Sequence, residues 1–126
     1  MADIPNELKY TKDHEWLRAK EDGTAEVGIT DYAQESLGDI TFVELPAEGD
    51  AFSAGEVFGV VESVKAASDL FLPVAGEILA VNEELDSAPD LVNSDPYGKG
   101  WIIRIRVEDP SEVDGLADAG AYGEMI

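Results

Sequence analysis

Nine residues of this chain occur twice. Residues 54–62 read AGEVFGVVE and residues 75–83 read AGEILAVNE. Five of the nine positions are identical, and three more are conservative exchanges (Val57/Ile78, Phe58/Leu79, Gly59/Ala80). Two copies are too few for a solenoid, which needs about three or more repeats to bury its faces. A duplicated strand within 126 residues points to a small β domain, its two similar halves packed about a pseudo-two-fold axis. Chance similarity between glycine- and valine-rich strands is the competing reading.

The rest of the chain fits short strands separated by turns. Residues 14–20 alternate, with Trp16, Arg18 and Lys20 against Glu15, Leu17 and Ala19, and Asp22-Gly23 is a hairpin turn signal. Residues 24–29 return as a strand with Val27 and Ile29 on one face. Thr30 or Asp31 can cap a short helix near 30–37 that Gly38 ends. A strand over 40–45 stops at Pro46. Residues 83–96 carry turn chemistry (Ala88-Pro89-Asp90, Asn93-Ser94-Asp95-Pro96), and 101–107 reads as a strand with Trp101, Ile103, Ile105 and Val107 on one face. Asp109 and Pro110 open a predicted C-terminal helix near 110–118. No linker rich in proline, glycine or serine divides the chain, so a single domain over 1–126 is expected.

Composition removes whole classes of function. No cysteine is present, which excludes disulfides, thiolate metal sites and cysteine nucleophiles. The formal charge is −20, from 28 acids against 8 bases, and such a surface repels nucleic acid. It suits either basic protein partners or solvation in high salt. No apolar run approaches the roughly 20 residues that span a bilayer. The acidic N-terminal residues have neither a hydrophobic h-region nor an arginine-rich pattern, so no presequence and a cytoplasmic location are expected. His14 is the only histidine and suits a local hydrogen bond; Trp16 and Trp101 are expected to pack the sheets. No nucleophile–base pair, phosphate loop or metal site is recognisable, so no catalytic or metal-binding residue is assigned.

Among the cations one stands apart. Between Lys20 and Lys99 the only lysine or arginine is Lys65, amid the eighteen acids of residues 21–98. It directly follows the first repeat copy, in Glu62-Ser63-Val64-Lys65-Ala66-Ala67-Ser68-Asp69, between β runs at 56–61 and 69–72. A hairpin tip is expected there, with the amine clear of the body and open to covalent modification. A solvated turn lysine is the ordinary alternative.

The stretch ESVKAASDL resembles the lipoylation segment of glycine cleavage H proteins. KYTKDHEW (9–16), VGITDYAQESLGDI (27–40), FVELPAEGD (42–50) and NSDPYGKGW (93–101) resemble further blocks of that family, in the same order. The resemblance implies a mainly β barrel-sandwich hybrid: two small antiparallel sheets, a pseudo-two-fold axis, and lipoic acid in amide linkage to Lys65. It implies a non-catalytic carrier, a monomer that shuttles the aminomethyl group of glycine on a swinging arm. The implied partners are a pyridoxal-phosphate glycine decarboxylase, a tetrahydrofolate-dependent aminomethyltransferase, dihydrolipoamide dehydrogenase, and the lipoate ligase or lipoyl transferase that attaches the arm.

The same resemblance implies a surface cleft that shelters the loaded arm, with Glu15, Ile29, Ser36 and Asp69 as candidate residues. A carboxylate such as Glu15 or Asp69 can pair with a protonated amine. Some family members have histidine where Ser36 stands, and a hydroxyl cannot carry its charge. A biotin carrier shares the architecture, but methionines characteristically flank its lysine, whereas Val64 and Ala66 stand here. A lipoyl donor serving other carriers would need the same Lys65, and the sequence leaves it open.

Overall fold

The computed structural model describes residues 4–126. In chain order the elements are β1 (Lys9–Tyr10), β2 (Glu15–Ala19), β3 (Thr24–Ile29), α1 (Asp31–Leu37), β4 (Ile40–Glu44), β5 (Ala51–Phe52) and β6 (Val57–Ser63). There follow β7 (Ala67–Phe71), β8 (Gly76–Val81), α2 (Glu84–Ser87), α3 (Leu91–Ser94), β9 (Ile103–Val107), α4 (Ser111–Asp114) and α5 (Ala119–Met125). The strands form two antiparallel sheets, a six-stranded one in the order β1-β2-β3-β9-β8-β5 and a three-stranded one in the order β4-β6-β7. Among the described residues no helix is long and apolar enough to cross a membrane.

The two repeat copies become β6 and β8, one in each sheet. Both strands shift register at the same point of the repeat: β6 between Val57 and Gly59, β8 between Ile78 and Ala80. An extra residue at such a shift bends the strand and increases its twist. Phe58 and Leu79 thus sit at the same register shift, which favours duplication over coincidence. The packing has nonetheless diverged: Phe58 is buried where Leu79 is only partly so, and Val57 is exposed where Ile78 enters the core. The main core packs Leu17, Val27, Val61, Leu70, Ile78 and Ile105 among others, contributed by both sheets. These are the β-branched and leucine positions that alternate along each strand.

Strand β2 has both faces covered. Leu17 enters the main core, whereas Trp16, fully buried, joins a second cluster with Leu8, Tyr10 and Tyr122. Farther along the outer side of the six-stranded sheet, Glu26 accepts Arg18 Nη1 and Arg104 Nη2, each at 3.1 Å, with Lys20 Nζ at 3.8 Å. Arg18 lies over the Trp16 ring and Arg104 over Trp101.

Several expectations need correction. The 110–118 segment is not one helix. A single turn, α4, starts where Asp109 accepts the Ser111 amide, and it ends at Gly115. Ala117 then exchanges backbone hydrogen bonds with Tyr10, which is incompatible with helix at that point. A new helix, α5, begins at the cap of Asp118 on the Ala121 amide. Residues 83–96, expected as turns, contain α2 and α3, each a single turn that buries one side chain (Leu85, Val92). Strand β9 starts at Ile103 rather than Trp101. Ile102 is drawn inward by its amide bond to the Val27 carbonyl, and Trp101 packs with the outer cluster. Trp101 therefore does not share a face with Ile103 and Ile105.

Candidate functional site

Lys65 stands in the tight turn joining β6 to β7. Glu62 pairs with Ala67, leaving Ser63, Val64, Lys65 and Ala66 to reverse the chain. The Ser63 amide donates to the Ala66 carbonyl at 2.7 Å, and Ser63 Oγ accepts the amides of Ala66 (3.2 Å) and Lys65 (3.4 Å). The serine thus satisfies the turn's own backbone, as its hydroxyl is suited to do. Lys65 is exposed, and its amine makes no ion pair among the described residues despite the acidity around it. Val64 beside it is 70% exposed, an unusual position for an aliphatic side chain.

One side of the turn rests against the end of α1. The Val64 amide donates to the Asp39 carbonyl at 3.1 Å, and a Cβ on Gly38 would lie 3.9 Å from Lys65 Cε. Gly38 caps α1 at φ 80°, a conformation for which glycine is the default residue. Asn93 secures this junction: its Nδ2 donates to the Gly38 carbonyl and to Gln34 Oε1, and its Oδ1 accepts the Ile40 amide. Sequence reasoning placed Asn93 in a family-like block without giving it this task.

Strand β7 leads from the turn to a second feature, six residues away and so at most about 20 Å distant at the rise of a strand. At its far end the Phe71 amide donates to Glu15 Oε2 at 2.6 Å. Glu15 is 2% exposed, and its other carboxylate oxygen has no partner among the described residues. Burial pushes its pKa up to about 8, and the Phe71 amide opposes that rise. Glu15 belongs to the lining of a cleft of about 400 Å³, although its carboxyl is almost fully enclosed; the walls are residues 10–13, Phe71, Leu72 and Pro73, and Leu116, Ala117 and Met125.

The candidate residues fall into two groups. Glu15 pairs in register with Ile29, but Ile29 points into the main core and does not line the cleft. Ser36 lies exposed on α1, two residues before Gly38, and does not line the cleft. Asp69 is exposed on β7 between the turn and Phe71 and does not line the cleft. His14 makes a hydrogen bond remote in sequence, between Nδ1 and the Tyr122 hydroxyl at 2.8 Å. Among the described residues no cluster of three or more histidine, aspartate or glutamate side chains could hold a metal ion.

An unpaired, protruding amine joined by one strand to a mainly apolar cleft with an orphaned carboxylate oxygen narrows the comparison. The glycine cleavage H-protein family model matches residues 8–126. The chain belongs to this family. Glycine cleavage system H proteins from Opitutus terrae and from an Enterobacter species are 56% and 57% identical over 126 residues, covering all of this chain and 99% and 98% of theirs. The crystal structure of a glycine cleavage system H protein from Mycobacterium marinum superposes with a TM-score of 0.88 at 42% identity, covering 96% of this chain and 97% of that one. The fold is the lipoyl-type barrel-sandwich hybrid, and the chain is a carrier subunit of the glycine cleavage system, not itself a catalyst.

Proposed function

We propose that Lys65 carries lipoic acid in amide linkage and that the whole chain, residues 1–126, works as one carrier unit. The observation that carries this reading is the placement of an unpaired lysine at a hydrogen-bonded hairpin tip, one strand away from the orphaned oxygen of Glu15. The residues fit the group. The apolar walls Leu72, Pro73, Leu116 and Met125 suit a hydrocarbon arm, and the carboxyl suits a cationic end. When bound, the lipoyl group supplies a dithiolane that takes up a one-carbon amine and is afterwards reoxidised.

The chain's own residues do the rest. Ser63 holds the turn so that a modifying enzyme meets a fixed backbone and a free amine. Amide formation removes the Lys65 charge, leaving Asp39, Glu62 and Asp69 to define the surface around the tip. Glu15, whose burial keeps its carboxyl protonated in the unloaded chain, ionises to pair with a protonated amine seated in the cleft. The tether keeps the reacting end at high local concentration beside each docked enzyme. Those enzymes are the glycine decarboxylase, the aminomethyltransferase and dihydrolipoamide dehydrogenase, after a lipoate ligase or lipoyl transferase has loaded Lys65 in the cytoplasm.

Peptide mass spectrometry of the chain from lipoate-replete cells tests this directly. One lipoyl increment on the Lys65 peptide, lost in Lys65→Arg together with all glycine cleavage in the reconstituted system, is the expected result. A biotin increment, an unmodified Lys65, or full activity of Lys65→Arg would each overturn it.

A further inference from the structure

Tyr122 is fully buried, lies on α5, and takes no part in the chemistry described so far. Its hydroxyl joins two segments distant in sequence: His14 Nδ1 at 2.8 Å and Thr30 Oγ1 at 2.7 Å. Its ring stacks on Tyr10 with centroids 4.8 Å apart and planes 11° from parallel. His14 directly precedes Glu15. At φ 65° it is the only residue other than glycine with positive φ among the described residues. Such a conformation is strained for a side-chain-bearing residue and persists only where its surroundings enforce it. Thr30 caps α1, the helix whose other end touches the Lys65 turn. Met125, three residues after Tyr122, stands in the wall of the cleft.

Proton positions are consistent along this chain of groups. The Ala33 amide donates to Thr30 Oγ1, the Thr30 hydroxyl to the Tyr122 oxygen, and the Tyr122 hydroxyl to Nδ1 of a neutral His14 protonated on Nε2. Burial lowers the His14 pKa, which favours that neutral ring. Burial raises that of Tyr122, which keeps its proton in place.

We propose that Tyr122 is a positioning residue for the arm cleft: its hydroxyl locks the left-handed His14, so that Glu15 is presented to the cleft, and holds α5 as the outer wall. The phenol is the element that matters, because phenylalanine would keep the stacking on Tyr10 and the burial while leaving His14 and Thr30 unjoined. This proposal rests on the reading of the Glu15 cleft as the resting place of the arm.

The test uses Tyr122→Phe in the full chain, with two readouts. In the unmodified chain, carbon-13 NMR follows the Glu15 carboxyl against pH. Its midpoint is expected to fall from about 8 towards the ordinary carboxylate range as the carboxyl loses its enclosure. For the second, the decarboxylase loads the lipoylated chain with the aminomethyl group and releases the glycine carboxyl as carbon dioxide. Once that chain is freed of partners, hydrolysis of the adduct to thiol, formaldehyde and ammonia is expected to quicken roughly three- to tenfold, the equivalent of one lost hydrogen bond. Loading of lipoate onto Lys65 should keep its wild-type rate. An unchanged midpoint or an unchanged loss rate overturns the proposal. If Tyr122→Phe proves too unstable, His14→Asn, which tolerates the same backbone but lacks the ring nitrogen, must give the same two changes. Glu15→Gln separates the failures. If it does not quicken amine loss, the cleft reading itself falls. If it does while Tyr122→Phe does not, only the role of Tyr122 falls.

Discussion

The carbonyl of Asp39 accepts the amide of Val64 at 3.1 Å, which fastens the exit of α1 to the residue beside Lys65. Through Gly38 and Asn93 this contact makes the turn part of a supported junction instead of a free-standing loop.

Gly38→Ala should loosen that junction. Its φ of 80° strains any L side chain by about 1–2 kcal/mol, and the new methyl would touch Val64 and Lys65 at van der Waals distance. Urea unfolding should show a loss of that order. Lipoylation of Lys65 should slow while activity of fully lipoylated chain is retained.

Gly59→Ala should be more severe. A Cβ there would collide with the backbone carbonyl oxygen of Glu44 on the neighbouring strand β4. Neither strand can yield without disturbing the β4–β6 ladder, so a loss of about 2–3 kcal/mol is expected, measurable as a lowered melting temperature. The second repeat copy has Ala80 at this position, and Ala80→Gly should cost only about 1 kcal/mol or less.

A buried carboxyl and a half-buried imidazole give stability opposite dependences on pH. The Glu15 pKa rises from 4.5 unfolded to about 8 folded, so the folded chain binds the extra proton between those values. Stability from this group is complete below about pH 4.5 and is lost at up to about 1.4 kcal/mol per pH unit as pH rises towards 8. His14 has a lowered folded pKa, so its contribution is complete above 6.5 and is lost as pH falls through the folded value. Glu15→Gln should abolish the alkaline slope and leave the acid one, in chemical denaturation measured from pH 5 to 9.

Salt should stabilise this chain. With a net charge of −20, screening of self-repulsion outweighs the weakening of the Glu26 ion pairs, of which only Glu26 itself is well enclosed. A melting temperature that rises from 10 mM to 1 M potassium chloride is expected; a flat or falling curve would show that the acids are not in mutual conflict.

Much of the architecture was legible because it is written in local periodicity. Thr30 and Gly38 bracket α1 in the chain as they do in space, and the repeat located β6 and β8 before any pairing was known. The exposure of Lys65 followed from its place between two apolar runs. The C-terminal region was misread because its structure depends on partners remote in sequence. Ala117 leaves the helical path to bond Tyr10, and α5 is held by a tyrosine whose contacts are residues 10, 14 and 30. Glu15 was legible as a carboxylate of a family-like block, but its burial was not, since the amide it accepts comes from Phe71, 56 residues away. Ile29, a candidate by resemblance, sits directly opposite Glu15 on the same face of the sheet and packs into the core.

The two copies also part company just past their last residue. Continued past its last residue in the same register, the repeat sets Val64 against Leu85 and Lys65 against Asp86. Val64 faces water on an open turn, whereas Leu85 is 1% exposed and anchors a helical turn to the core. One half of the molecule thus offers an amine, and its counterpart offers a carboxylate with its backbone tied down. A modification that needs a lysine at this repeat position is therefore limited to a single group per chain. An enzyme approaching the wrong half would meet negative charge and no nucleophile.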